Sequence, residues 1–226
     1  MSEPIRPAPR RRNYRGAAAR GLPQPMDLTR PSLEPDVRPR CWWPNGIVGV
    51  EPLMVAYHDE EWGEPVSDDR ELFERLALES FQAGLSWVTI LCKREAFRRA
   101  FFGFEPKVVA GFGDLDRERL LADAGIVRNR AKIDATIGNA AQVLALSDEC
   151  GSLVAYLAAR LPRPAPALTH GSSWADVPAT TAESDALSAD LRRRGFRFVG
   201  STIVYSFMQS VGLVNDHLPS CYRYRG

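Results

Sequence analysis

The chain has 226 residues, 45% hydrophobic and 25% charged, an ordinary balance for one or two globular domains with a sizeable core. No apolar run approaches the ~20 residues that a membrane helix needs, so no membrane partnership is expected. The net charge of +1 neither favours nor excludes nucleic acid.

That small charge hides an asymmetry. Residues 1–40 carry nine Arg against four Asp or Glu, and eight of the 17 prolines. Nothing there repeats at a helical or strand period, so residues 1–39 read as a disordered Arg/Pro-rich arm and residues 40–226 as the folded domain. The N-terminus lacks the apolar segment of a secretory signal. A reducing, cytoplasmic setting is therefore the expectation.

From Cys41 onward every periodic stretch is helical. D-D-R-E-L-F-E-R-L-A-L-E places acids at a helix start, where they suit the dipole. Leu72, Leu76, Glu79 and Ala83 recur on one face of that helix, before a break at Gly84. Ser86 caps a second helix running from Trp87 to Phe101. Leu115 to Ala124 and Arg128 to Leu146 repeat the spacing of three and four. Ser152 to Leu161 adds a short helix before a Pro/Ser/Gly loop over Pro162 to Thr181. Thr180 and Glu183 form a capping-box pattern ahead of S-D-A-L-S-A-D-L-R-R-R, with Gly195 as its stop. Ser201 to Val211 is the last helix. No stretch reads as a strand, so the expected fold is all-α.

Two groups of residues carry possible chemistry. Glu79 puts a carboxylate on an apolar face, with Trp87 after the Gly84 break; the spacing alone fits a buried ion pair beside a core tryptophan as well as a binding site. Cys41, His58, His217 and Cys221 include the pair H-L-P-S-C and make a Cys₂His₂ set suited to tetrahedral zinc. Buried free cysteines fit that spacing too. Cys92 and Cys150 read as structural, His170 as solvated and Trp62 as core.

R-C-W-W at Arg40 to Trp43, A-Y-H-D-E-E-W-G at Ala56 to Gly63 and L-E-S-F-Q-A-G-L-S-W at Leu78 to Trp87 resemble the 3-methyladenine DNA glycosylase I family. So do R-R-G-F-R-F-V-G-S-T at Arg193 to Thr202, Y-S-F-M-Q-S-V-G-L-V-N-D-H at Tyr205 to His217, and Cys221. The blocks follow the family's order across residues 40–221. The resemblance implies a helix-hairpin-helix glycosylase fold and hydrolysis of N3-methyladenine from alkylated double-stranded DNA by a monomer. It also implies one structural zinc on Cys41, His58, His217 and Cys221, clamping the two ends of the domain.

By the same resemblance Glu79 is the catalytic pocket glutamate, and Trp87, Tyr57 and Trp43 are the pocket aromatics. From the residues themselves, a hairpin turn from Gly195 to Gly200, with Arg197 and with Arg192, Arg193 and Arg194 around it, is expected to contact the DNA backbone; arginines that merely complement a helix dipole are the other reading. Asp216 adjoins a zinc ligand and is not assigned to catalysis. Met54 and Phe81 depart from the family pattern and are expected to reshape the pocket wall. A catalytically silent, zinc-clamped DNA-binding protein is the competing reading; a metal hydrolase is remote, because four protein ligands leave no position for water.

Overall fold

The computed structural model describes residues 37–41, 43, 44, 51–161 and 174–225. The arm up to residue 36, His170 and most of the Pro162–Thr181 loop lie outside the described residues.

Within them all regular structure is helical. The elements are α1 (Glu51–Glu60), α2 (Asp69–Gln82), α3 (Trp87–Ala100), α4 (Pro106–Ala110), α5 (Asp114–Ala122), α6 (Arg130–Cys150), α7 (Leu153–Ala158), α8 (Ala182–Arg193) and α9 (Ser201–Ser210). Short 3₁₀ turns stand at Phe102–Phe104 and Trp174–Asp176.

The helix starts follow from local chemistry. Asp68, Ser86, Asn129 and Ser152 each accept a hydrogen bond from the backbone three residues on, opening α2, α3, α6 and α7. Two expectations need correction. The capping box of α8 is Thr181 with Ser184, one residue later than the sequence pattern suggested; that register turns Leu187 and Leu191 into the core. The helical series, expected to open at D-D-R-E-L-F-E-R-L-A-L-E, is preceded by α1, which carries His58 and whose weak apolar periodicity hid it.

Helix α2 is the centre of the molecule. Residues Leu72 through Phe81 are all buried, and the helix packs against α3, α6, α7 and α9. Its polar residues are nearly all answered from other elements: Glu74 by Arg98 at 2.8 Å, Arg75 by Glu61 at 2.9 Å, Ser80 by the Phe198 carbonyl at 2.9 Å. Asp69 at its start accepts from the backbone of Leu153 and Val154, both at 2.9 Å, and so caps α7 from a distance.

Two apolar clusters result. The larger includes Phe81, Phe97, Phe101 and Phe104. Phe81 is thus a core residue, 4.6 Å from Phe97 between ring centroids, and not part of a pocket wall. The smaller cluster joins Cys41, Met54, Tyr57, Trp62, Leu91, Leu218 and Cys221, the two ends of the domain. Met54 is buried in it and does not line the pocket described below. Cys92, expected inside, is exposed on α3. Trp87 packs against both clusters and marks where they meet.

Candidate active site and DNA-facing surface

A cavity of about 190 Å³ opens at that junction. Its lining is Trp43, Tyr57, Trp62, Trp87 and Trp174 with Glu79, Gln82, Ser206 and Gln209. Four of the expected residues, Glu79, Trp87, Tyr57 and Trp43, therefore meet in one place. Tyr57 reaches it from α1, Glu79 from the last turn of α2, and Trp87 from the first residue of α3.

The rings form a connected wall. Tyr57 and Trp87 lie 5.0 Å apart between centroids, and Trp43 meets Trp62 edge-on at 5.2 Å. The indole N–H groups of Trp43 and Trp87 are buried without a hydrogen-bond partner. Glu79 is 5% exposed, and among the described residues no side chain hydrogen-bonds or ion-pairs with its carboxylate. Burial pushes its pKa up to about 8, while the positive charge of Arg75 works in the opposite direction. Burial and the neighbouring Glu79 also push the Tyr57 phenol upward, so Tyr57 is a neutral wall at physiological pH.

An unpaired buried carboxylate costs stability, so its persistence in an aromatic cavity points to a ligand that offsets the cost. The chemistry on offer is an anionic acceptor, two indole donors and several π-faces. Such a set suits a flat, amine-bearing cation.

Sequence reasoning missed half of this wall. Trp62 is buried in the smaller cluster, as expected of a core residue, and also lines the pocket. Trp174 comes from a loop with no usable pattern. Ser206 and Gln209, three apart among the apolar residues of α9, carried a faint signal as two polar groups on one helical face. Asp216 is fully buried; it accepts from Tyr205 and from Gln209, each at 2.6 Å, and so orients Gln209 from behind.

Beside the pocket, Cys41, His58, His217 and Cys221 are all buried, with ligand atoms within 4.8 Å of one another. Cys221 Sγ lies 3.4 Å from His58 Nε2 and 3.5 Å from His217 Nδ1, and Cys41 Sγ 3.7 Å from that same Nδ1. Tetrahedral zinc with its usual bond lengths sets S···N edges of roughly 3.5 Å, so the donor set fits. The far nitrogens are also provided for: His58 Nδ1 is 2.7 Å from Asp59, and His217 Nε2 is 3.2 Å from the Trp62 carbonyl. Such outer partners fix the ring orientation of a metal ligand. Burial holds the Cys41 thiol up near 12, a form that only a nearby cation would ionise.

The α8–α9 connection is a tight hairpin. Gly195 has φ +91° and closes α8: its N–H donates to the Arg192 carbonyl and that of Phe196 to the Leu191 carbonyl, both at 3.0 Å. Arg197 N–H donates to Asn139 Oδ1 at 2.8 Å, while Asn139 Nδ2 donates back to the Arg197 carbonyl at 2.9 Å. Gly195 and Arg197 thus spend their N–H groups inside the protein. The donors left for a phosphate run from Phe198 into the first turn of α9, with Gly200 as its N-cap.

The arginines divide as well. Arg193 and Arg194 are held by Asp190, and Arg194 also by Glu149 at 2.6 Å. Among the described residues Arg192 and Arg197 form no ion pair, and both are exposed. Asn139→Ala is expected to strand both backbone groups of Arg197 and cost about 1–3 kcal/mol in urea unfolding. An unchanged midpoint would show that the hairpin stands without it.

The fold agrees with that of known proteins. A family model described as methyladenine glycosylase matches residues 47–224. The chain belongs to that family. DNA-3-methyladenine glycosylase 1 of Escherichia coli (strain K12) is 47% identical over 187 residues, covering 83% of this chain and 97% of that protein. DNA-3-methyladenine glycosylase of Haemophilus influenzae is 42% identical, covering 80% and 96%. Among solved structures, a crystal structure of 3-methyladenine DNA glycosylase I is similar with a TM-score of 0.76 and 46% identity, covering 82% of this chain and all of that one. The Staphylococcus aureus 3-methyladenine DNA glycosylase I, solved to explain 3-methyladenine recognition, gives a TM-score of 0.72 at 37% identity, covering 77% and 94%. This methyladenine glycosylase family member carries 46 residues ahead of the matched region.

Proposed function

We propose that this protein is a DNA repair glycosylase that removes N3-methyladenine from alkylated double-stranded DNA and leaves an abasic site. The observation that carries the reading is Glu79, a buried carboxylate unpartnered among the described residues, beside the mutually tilted rings of Trp87 and Tyr57 in a cavity sized for one base.

A base inside a duplex is out of reach and must be flipped into such a pocket. The methylated adenine in DNA is a cation. Glu79 accepts from its exocyclic amine, the indoles supply donors to its ring acceptors, and the aromatic faces favour its charge. In hydrolysis the C1′–N9 bond breaks with its electron pair going to N9. Water supplies the new bond to C1′ and loses a proton, and 3-methyladenine departs neutral. The leaving group is already activated, so orientation and exclusion of water are the main tasks left to the pocket.

A single zinc on Cys41, His58, His217 and Cys221 supplies a structural cross-link, holding the segments that carry Trp43, Tyr57 and Trp62. Lys132, buried on α6, does not serve as a lyase nucleophile in this reading; its ammonium is turned onto the carbonyls of Phe81 and Ala83 at 2.8 and 2.6 Å. Leu85, 42% exposed in the turn between α2 and α3, is placed to fill the gap that a flipped base leaves in the stack. Residues 198–202 and Arg197 hold the phosphates. Residues 40–226 form the catalytic domain, acting as a monomer in the cytoplasm, with residues 1–39 as a basic arm.

The direct test is chromatography of bases released from methylated duplex by the zinc-loaded protein. Free 3-methyladenine is the expected product; its absence from folded, metal-loaded protein would sink the reading. Arg197→Ala should weaken duplex binding uniformly across sequences and lower the slope of log affinity against log salt by about one. A slope equal to wild type would remove Arg197 from the phosphate contact.

A further inference from the structure

One buried cation beside the pocket remains unexplained by packing. Arg75 lies one helical turn before Glu79 on α2, its side chain 5% exposed. Its Nη2 is held at 2.9 Å by Glu61 and at 3.0 Å by Glu71, and its guanidinium carbon stands 5.9 Å from the Tyr57 ring centroid. Nε and Nη1 are buried with no hydrogen-bond partner. Glu61 is itself fixed by Arg94, at 2.6 and 2.9 Å. A guanidinium with open, desolvated donors is a poor choice for a scaffold, where an apolar side chain would fill the same space.

We infer that Arg75 is a positioning residue of the active site: held behind Glu79 and Tyr57 by Glu61, it eases ionisation of the Glu79 carboxylate to the form that accepts the cationic base. The inference rests on the glycosylase reading. It addresses a conflict inside that reading, because burial drives Glu79 toward the neutral acid that would repel an amine donor, and Arg75 is the charge that opposes this.

Among the described residues the surroundings of Glu79 contain no substitute. From α1 comes Tyr57, which stays neutral. On α2 the charged neighbours are Arg75 and, across it, Glu71. Trp87 of α3 and Ser206 and Gln209 of α9 do not ionise near neutrality. Lys132 of α6 is turned away onto the Phe81 and Ala83 carbonyls, and Asp216 behind Gln209 is occupied by Tyr205 and Gln209.

The test is kcat/KM for base release between about pH 6 and about 9.5, which reports ionisations of the free enzyme. Wild type should show a rising limb with a midpoint near 8. Arg75→Met should move that midpoint up by about one unit, so that release near pH 7 falls about tenfold and recovers in alkali. Arg75→Lys keeps the charge and should hold the limb near wild type. Glu61→Gln leaves Arg75 less neutralised and should move the limb the opposite way, toward lower pH.

Opposite shifts from the Arg75 and Glu61 substitutions cannot come from a shared loss of stability. If Arg75→Met does not fold, the Glu61→Gln limb decides. A limb that stays put in the folded variants, with only a uniform drop in rate, overturns the role of Arg75 and leaves the glycosylase standing. Absence of base release by wild type overturns the glycosylase reading and this inference with it.

Discussion

Glu79→Gln is expected to lower base release about a hundredfold and, in the same protein, to raise thermal stability at alkaline pH. The two effects share one cause. The carboxylate is the pocket's only anionic acceptor among the described residues, and the amide that replaces it presents one neutral oxygen to a cation. Release of 3-methyladenine falls because the interaction lost is a charge-assisted one in a site shielded from water.

Stability moves the other way. The folded-state pKa of Glu79 stands near 8 against 4.5 for the free side chain. Between those values the folded form holds a proton that the unfolded form has released, so the stability from this group is full below 4.5 and declines as pH rises toward 8. Glutamine removes that decline. Tm of Glu79→Gln should match or slightly trail wild type near pH 5 and exceed it at pH 8, by about 2–4 °C for each kcal/mol relieved. Calorimetry at the two pH values, beside chromatography of released bases, checks both halves. Equal activity in the variant would remove Glu79 from the site; a lower Tm at pH 8 would mean the carboxylate has a structural partner.

The second large effect concerns the Cys₂His₂ cluster. Cys221→Ser, or exhaustive chelation of wild type, is expected to lower Tm by about 10 °C and to abolish base release together. Four buried ligands from distant segments gain little from one another without a cation, since His58 and His217 are kept neutral by burial and the Cys41 thiol resists ionisation. A metal bound there would join residues 41, 58, 217 and 221 and so pin Trp43, Tyr57 and Trp62 at once. Elemental analysis should find one zinc per wild-type chain and less than half of that in Cys221→Ser. A metal-free wild type of unchanged Tm and activity would reduce the cluster to ordinary core.

One glycine shows how closely the two ends are fitted. A Cβ on Gly212 would stand 2.7 Å from the Glu64 backbone, and the neighbouring Val66 N–H reaches the Val211 carbonyl. Any side chain there would push the segment after Trp62 away from the end of α9, and the pocket lies between them.

The order of helices, most of their starts and the blocks that placed the chain in its family were determined by the sequence alone. The physical reason is range: a cap acts over three residues and an apolar stripe over a few turns, so both are written locally. The residues of the pocket and of the Cys₂His₂ cluster were legible only through those blocks, because spacing alone fits a buried ion pair and buried free cysteines equally well. What only the tertiary structure decided is which faces meet. Trp62 and Trp174 entered the pocket wall, Met54 and Phe81 left it, and the N–H groups of Gly195 and Arg197 proved to be taken by α8 and Asn139. Arg75 came to rest behind Glu79 through Glu61 and Arg94, a chain of charges from α2, the turn after α1, and α3. Side-chain direction at these positions depends on packing between segments tens of residues apart, and no local pattern records it.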